Sequence, residues 1–179
     1  MIETDRLILR KFTRDDVSDV FEFSSNLEVV KWTGDKTISR KEEALDIIEN
    51  IWLHEYDEIG YARYAVYHKK DKKVIGFSGL KYEPEWDATD IGYRLLPQYW
   101  GKGLATESVL PFISLGFNNF SLSKIIGAAY QINKASCRIL EKIGMQLEKE
   151  GILIDDNPNL CNMYSITKVE YNQRLPKST

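Results

Sequence analysis

No stretch of the chain approaches the ~20 consecutive apolar residues that a membrane-crossing helix needs. Its first dozen residues, MIETDRLILRKF, carry too much charge for the apolar region of a signal peptide. A cytoplasmic location and no membrane partner are the expectation. Positive charge is not in excess: 24 Lys and Arg against 27 Asp and Glu leave a formal net charge of −3. No global field therefore draws the protein toward nucleic acid. Cysteine is scarce, and the two present, Cys137 and Cys161, lie far apart without a CxxC pair. That pattern favours free thiols in a reducing compartment over a disulfide or a metal site. Histidine is as scarce, with only His54 and His68. Zinc-ligand spacing and a histidine-activated nucleophile both lack material, so no metal is expected. Proton chemistry would rest on carboxylates, hydroxyls, backbone or water.

What is present is 179 residues, a length that suits a single domain spanning 1–179. Residues 5 to 11 read as a first strand. Thr13 with Asp16 resembles a capping pair ahead of a helix carrying Val17, Val20, Phe21 and Ser24 on one stripe. Ser39 with Glu42 forms a second capping box, followed by Ala44, Leu45, Ile48, Ile51 and Trp52 at helical spacing. From Tyr61 the period changes, and residues 61–68, 74–83 and 87–96 read as three successive antiparallel strands, with KKDKK at 69–73 as a solvated turn. A helix follows Gly103, in which Pro111 predicts a kink near residue 108 or an early end. A short strand at 124–130 leads to a helix from about 134 to 143, capped by Asn133 and closed by Gly144. Strands at about 145–154 and 160–167 flank DDNPN, and Thr167 with Glu170 could start one last helical turn. The order βααβββαβαββ predicts an α+β fold, a central, mostly antiparallel twisted sheet with helices on both faces.

The segment with chemical content is Gln98-Tyr99-Trp100-Gly101-Lys102-Gly103-Leu104-Ala105, between an apolar strand and a helix. At such a junction backbone N–H groups are unpaired and the helix dipole adds positive partial charge, which suits a phosphate or pyrophosphate. Glycine lets the backbone approach the anion with no Cβ in the way. A Walker loop fails on spacing, because Leu96 stands where its first glycine is needed and Gly103 where its Ser or Thr is needed. A dinucleotide fingerprint fails as well, with Thr106 at its last small position and no βαβ unit in front.

This stretch resembles the Gln/Arg-x-x-Gly-x-Gly/Ala motif of the GNAT superfamily of N-acetyltransferases. DIGYRLLPQYWGKGLATES is similar to the strand-turn-helix of its ribosomal-protein N-terminal acetyltransferase branch, and NKASCRILEKIGM at 133–145 to its second cofactor helix. The opening TDRLILRKFTRDD also resembles the start of that branch, so the likeness covers almost the whole chain. It implies a GNAT-like domain using acetyl-coenzyme A as cosubstrate. By that resemblance, backbone at Leu95 and Leu96 would hold the pantetheine arm. Gln98 and the turn Gly101, Lys102, Gly103, Leu104, Ala105 and Thr106 would hold the pyrophosphate, with a Lys102 side-chain contact not required. Asn133 and Ser136 would face the thiol end, a role compatible with Asn133 simply capping its helix.

One departure bears on mechanism. The tyrosine that in much of the superfamily protonates the departing thiolate is replaced here by Leu140, which cannot donate a proton. Ser136, or water held by it, becomes the candidate acid; the alternative is a serine packed in a helical first turn. Asp90 stands where the branch often carries an acid, as a proton relay through water or a site for the incoming amine; the alternative is an exposed strand carboxylate. Acceptor recognition would fall to Trp32-Thr33-Gly34 and Asp155-Asp156-Asn157. The implied reaction is direct attack of a primary amine, on a small molecule or a protein N-terminus, within a ternary complex. The competing reading is a noncatalytic acyl-coenzyme A sensor or assembly module, and a homodimer is the candidate assembly.

Overall fold

The computed structural model describes residues 1–154 and 158–174. Its strands form an eight-stranded sheet in the order β1-β2-β3-β4-β5-β6-β8-β7. They are β1 (Ile2–Glu3), β2 (Leu7–Arg10), β3 (Arg63–His68), β4 (Lys73–Glu83), β5 (Ala88–Leu95), β6 (Lys124–Tyr130), β7 (Gln146–Ile152) and β8 (Cys161–Thr167). Every neighbouring pair is antiparallel except β5 and β6. The mixed, mostly antiparallel sheet expected from the sequence is the one that forms. β1 was not foreseen, because two residues pairing with Leu9 and Ile8 are too short to show a period.

The helices are α1 (Val17–Ser24), α2 (Leu27–Val30), α3 (Lys41–Ile47), α4 (His54–Glu58), α5 (Leu104–Asn118), α6 (Lys134–Lys142) and α7 (Lys168–Arg174). They cover both faces of the sheet. On one face, Phe23 of α1 and Trp52 meet Phe77 of β4 edge-on, with ring centroids 6.1 and 5.8 Å apart. On the other lies α5, where a Cβ on Gly116 would stand 2.8 Å from Ile125 and 3.2 Å from Leu80. Glycine there lets the helix approach the sheet. No helix among the described residues is long and apolar enough to cross a membrane.

Four local expectations are corrected. In α1 the buried aromatic is Phe23 rather than Phe21. Ser39 bonds Glu43, through its N at 3.1 Å and its Oγ at 3.2 Å, instead of Glu42, and the helix begins at Lys41. From there the chain runs through a π-helical segment, Ile48–Leu53, into α4. Ala44, Ile48, Trp52 and Tyr56 are buried, each four residues beyond the last, while Ile51 is exposed. Strict four-residue spacing advances about 40° per step on a helix of 3.6 residues per turn, and the wider π turns absorb that drift. Pro111 does not shorten its helix: α5 runs from Leu104 to Asn118 with the proline inside. Burial of Val109, Phe112, Ile113 and Phe117 around it offsets a proline cost of about 3 kcal/mol.

Candidate active site

β5 and β6 pair at only two positions, Thr89 with Ile125 and Asp90 with Ile126. Both strands continue, β5 to Leu95 bonded on its far side to β4 and β6 to Tyr130 bonded to β8. Past Asp90 each therefore presents one unpaired backbone edge to the other, and the gap opens into a cleft of about 1500 Å³. Unpaired backbone groups away from bulk water call for an outside partner. A splayed pair of strands is thus a slot for an extended chain rich in amides.

The glycine turn closes one end of this slot. After β5, a 3₁₀ turn at Pro97–Tyr99 leads to Gly101 at φ 71° and Gly103 at φ 77°, and α5 starts at Leu104. Both glycines are in the left-handed region, which side chains with a Cβ disfavour. Among the described residues, no backbone acceptor engages the N–H groups of residues 101–106. They form an anion-binding concavity at a helix start. A distant segment holds the turn in shape. Arg6 donates from Nη1 to the Lys102 carbonyl at 2.8 Å and from Nε to Glu107 at 2.7 Å, and the Thr4 hydroxyl donates to Glu107 at 2.6 Å. In a trans peptide the C=O and N–H point opposite ways, so drawing the Lys102 carbonyl toward Arg6 turns the Gly103 N–H away from it. Tyr99 adds a second anchor: its hydroxyl donates to Asp71 in the β3–β4 turn at 2.6 Å. Burial, then Asp71 itself, pushes its pKa up to about 12. Two of the four lysines at 69–73 are engaged too, Lys69 with Glu3 and Lys73 with Glu22.

At the start of α6, Asn133 caps the helix by accepting the Ser136 N–H at 3.1 Å. The Ser136 hydroxyl lies 2.7 Å from the Tyr93 hydroxyl across the cleft, and either can be the donor. Burial raises the Tyr93 pKa well above the usual phenol range, so the pair stays protonated at neutral pH. Leu140 takes no part in this wall. It is 1% exposed and packs where a Cβ on Gly127 would come within 2.9 Å of it.

On the face toward α1 and α3, Arg63 lies across the sheet over Gly92, whose Cβ would stand 2.5 Å from its guanidinium. Its Nη2 donates to the Asp90 carboxylate at 2.5 Å, and its Nη1 to the carbonyls of Gly79 and Asp90 at 2.5 and 3.2 Å. Asp90 is an ion-paired, largely buried carboxylate rather than an exposed one.

A family model described as an acetyltransferase (GNAT) domain matches residues 6–146. The chain belongs to the GNAT acetyltransferase family. It is an acetyl-coenzyme A-dependent N-acetyltransferase. It is 33% identical over 174 residues to the uncharacterized N-acetyltransferase YoaA of Bacillus subtilis, covering 94% of this chain and 97% of that one. A solved GNAT-family acetyltransferase from Bacillus anthracis matches with a TM-score of 0.77 at 26% identity, over 93% of this chain and 97% of that chain. Spermidine N-acetyltransferase from Vibrio cholerae, solved with coenzyme A and spermine, shares the fold with a TM-score of 0.77 at 17% identity, over 94% of this chain and 99% of that chain.

Of the residues singled out in the acetyltransferase sequence, Asp90, Leu95, Gly101, Gly103, Leu104, Ala105, Thr106, Asn133 and Ser136 all line the one cleft. Leu96, Gln98 and Lys102 do not. Leu96 is buried and its N–H donates to Ile75, Gln98 is exposed, and Lys102 points its ammonium over the Tyr99 ring. The Leu95 carbonyl already accepts from the Trp100 indole at 2.7 Å. Trp32, Thr33 and Gly34 line the cleft, whereas Asp155-Asp156-Asn157 lies outside the described residues. Arg6, Glu107, Arg63 and the Tyr93 hydroxyl carried no local sequence signal, because each acts through a partner distant in the chain.

Proposed function

We propose that this acetyltransferase moves acetyl from acetyl-coenzyme A to a primary amine by direct attack, with both reactants held in the cleft. The observation that carries the reading is the parting of β5 and β6 beside the Gly101–Gly103 turn. The open strand edges suit the amide-rich arm of the cosubstrate, and the unpaired N–H groups of residues 101–106 suit its pyrophosphate. The amine nitrogen forms the new C–N bond, the tetrahedral oxyanion collapses, and the C–S bond breaks to release a thiolate, while the proton that the nitrogen sheds passes through water to replace the one delivered to the sulfur. The Ser136–Tyr93 hydroxyl pair supports a proton donor for that thiolate, in place of the absent tyrosine at Leu140. Asp90 fits a role in orienting the amine more readily than one as a free base, because Arg63 already holds its carboxylate. Holding the reactants together supplies much of the rate without a protein nucleophile.

Calorimetry with acetyl-coenzyme A on the wild type and Gly103→Val tests the reading. Valine disfavours the left-handed backbone, and binding should weaken by about tenfold or more while the fold persists. Equal affinity would remove the main-chain anion site. Thiol release with a panel of amines then separates transfer from sensing, since binding with no acceptor-dependent release would mark a sensor.

A further inference from the structure

The acceptor-side floor of the cleft carries Phe77 flanked by two guanidinium groups, Arg94 at 5.0 Å from the ring centroid and Arg63 at 5.9 Å. The two are not equivalent. Arg63 is satisfied by Asp90 and two carbonyls. The Arg94 side chain is only 10% exposed, yet it pairs with a single carboxylate, Asp35, whose own side chain is 57% exposed. Its Nε–H is buried with no partner among the described residues. An arginine presents five donors in a fork shaped for a carboxylate, and buried donors are nearly always satisfied. Burial with so little compensation also pulls the Arg94 pKa below its ordinary value.

We propose that the acceptor amine carries a carboxylate, as a free amino acid does, and that this carboxylate displaces Asp35 to pair with Arg94. The inference rests on the acetyl-transfer reading and names its substrate class. A polyamine would set a second cation against Arg94 and Arg63, and like charges in such a site disfavour binding. Asp35, on the exposed loop after α2, is a stand-in for the ligand's own carboxylate.

The test is calorimetry on the coenzyme A-loaded protein, titrated with the standard amino acids, the decarboxylated amine of each binder, spermidine and a short peptide amide with a free N-terminus. At least one amino acid should bind, with its decarboxylated counterpart weaker by about tenfold or more. Arg94→Gln should abolish that difference while coenzyme A affinity is kept. Asp35→Asn, a change at an exposed site, should tighten amino-acid binding severalfold because the internal competitor is weakened. The proposal is overturned if no amino acid binds, if spermidine, the decarboxylated amines or the peptide amide bind as tightly, or if Asp35→Asn leaves affinity unchanged. Those results would leave coenzyme A binding intact, whereas failure of coenzyme A itself to bind would overturn the transfer reading and this inference together.

Discussion

Two hydroxyls, Ser136 and Tyr93, stand 2.7 Å apart on opposite walls of the cleft. Burial keeps the phenol protonated, and the serine is fixed by its place one turn into a helix capped by Asn133. If they deliver one proton as a unit, removing either should cost most of what removing both costs. Ser136→Ala and Tyr93→Phe are each expected to lower kcat by about tenfold to a hundredfold, with the KM for acetyl-coenzyme A little changed. The double variant should be no more than a few times slower. Steady-state kinetics on the three proteins checks this, and wild-type kcat in both single variants would reject the donor role.

Elements differ in how much of them was written locally. β3, β4 and β5 were legible within a residue or two because alternation and a polar turn mark them. The turn into α5 was legible because its glycines mark a backbone conformation. The β5–β6 parting was not, since the point at which two strands stop pairing leaves no mark in the sequence of either. Nor was the Arg6 clamp, whose partner Glu107 lies 101 residues away. The helix from Lys41 to Glu58 was placed to within a few residues and its buried stripe misassigned, because a π segment keeps residues four apart on one face and turns Ile51 outward. The clamp carries its own prediction. With Arg6→Ala the Lys102 carbonyl is freed and the turn relaxes, so the KM for acetyl-coenzyme A should rise about fivefold to tenfold with kcat nearly constant, in line with loss of one charge-assisted hydrogen bond. An unchanged KM would show that the turn keeps its shape unaided.

At the scale of the whole molecule, carboxylates secure the N-terminal segment: Asp16 braces it locally against Arg10 and Thr13, and Glu107 ties it to α5. For Asp16, burial raises the pKa, but the bidentate hydrogen bonds from Arg10 at 2.6 and 2.7 Å and the Thr13 backbone N–H outweigh it and leave the carboxyl below its ordinary value. Glu107 follows the same pattern, with Thr4 and Arg6 overcoming burial. A lowered folded-state pKa stabilises above the ordinary carboxylate range near ~4, and that stability is lost as pH falls from there through the lowered folded-state pKa. Asp16→Asn should therefore lower Tm by about 3–6 °C at pH 7, the equivalent of roughly 1–2 kcal/mol for a pair whose arginine is partly exposed. The gap to wild type should narrow as pH falls below about 4 and go on narrowing through the lowered folded-state pKa. A gap that does not narrow at all between pH 5 and pH 3 would assign the loss to packing instead of charge.

The backbone N–H groups of residues 101–106 are the proposed diphosphate site, and amide hydrogen exchange reads those groups directly. On saturation with coenzyme A, exchange across residues 101–106 should slow by about tenfold or more, while β7, an edge strand three places from β5 in the sheet, is unaffected. Unchanged exchange in that turn at saturating coenzyme A, with protection appearing elsewhere, would contradict it.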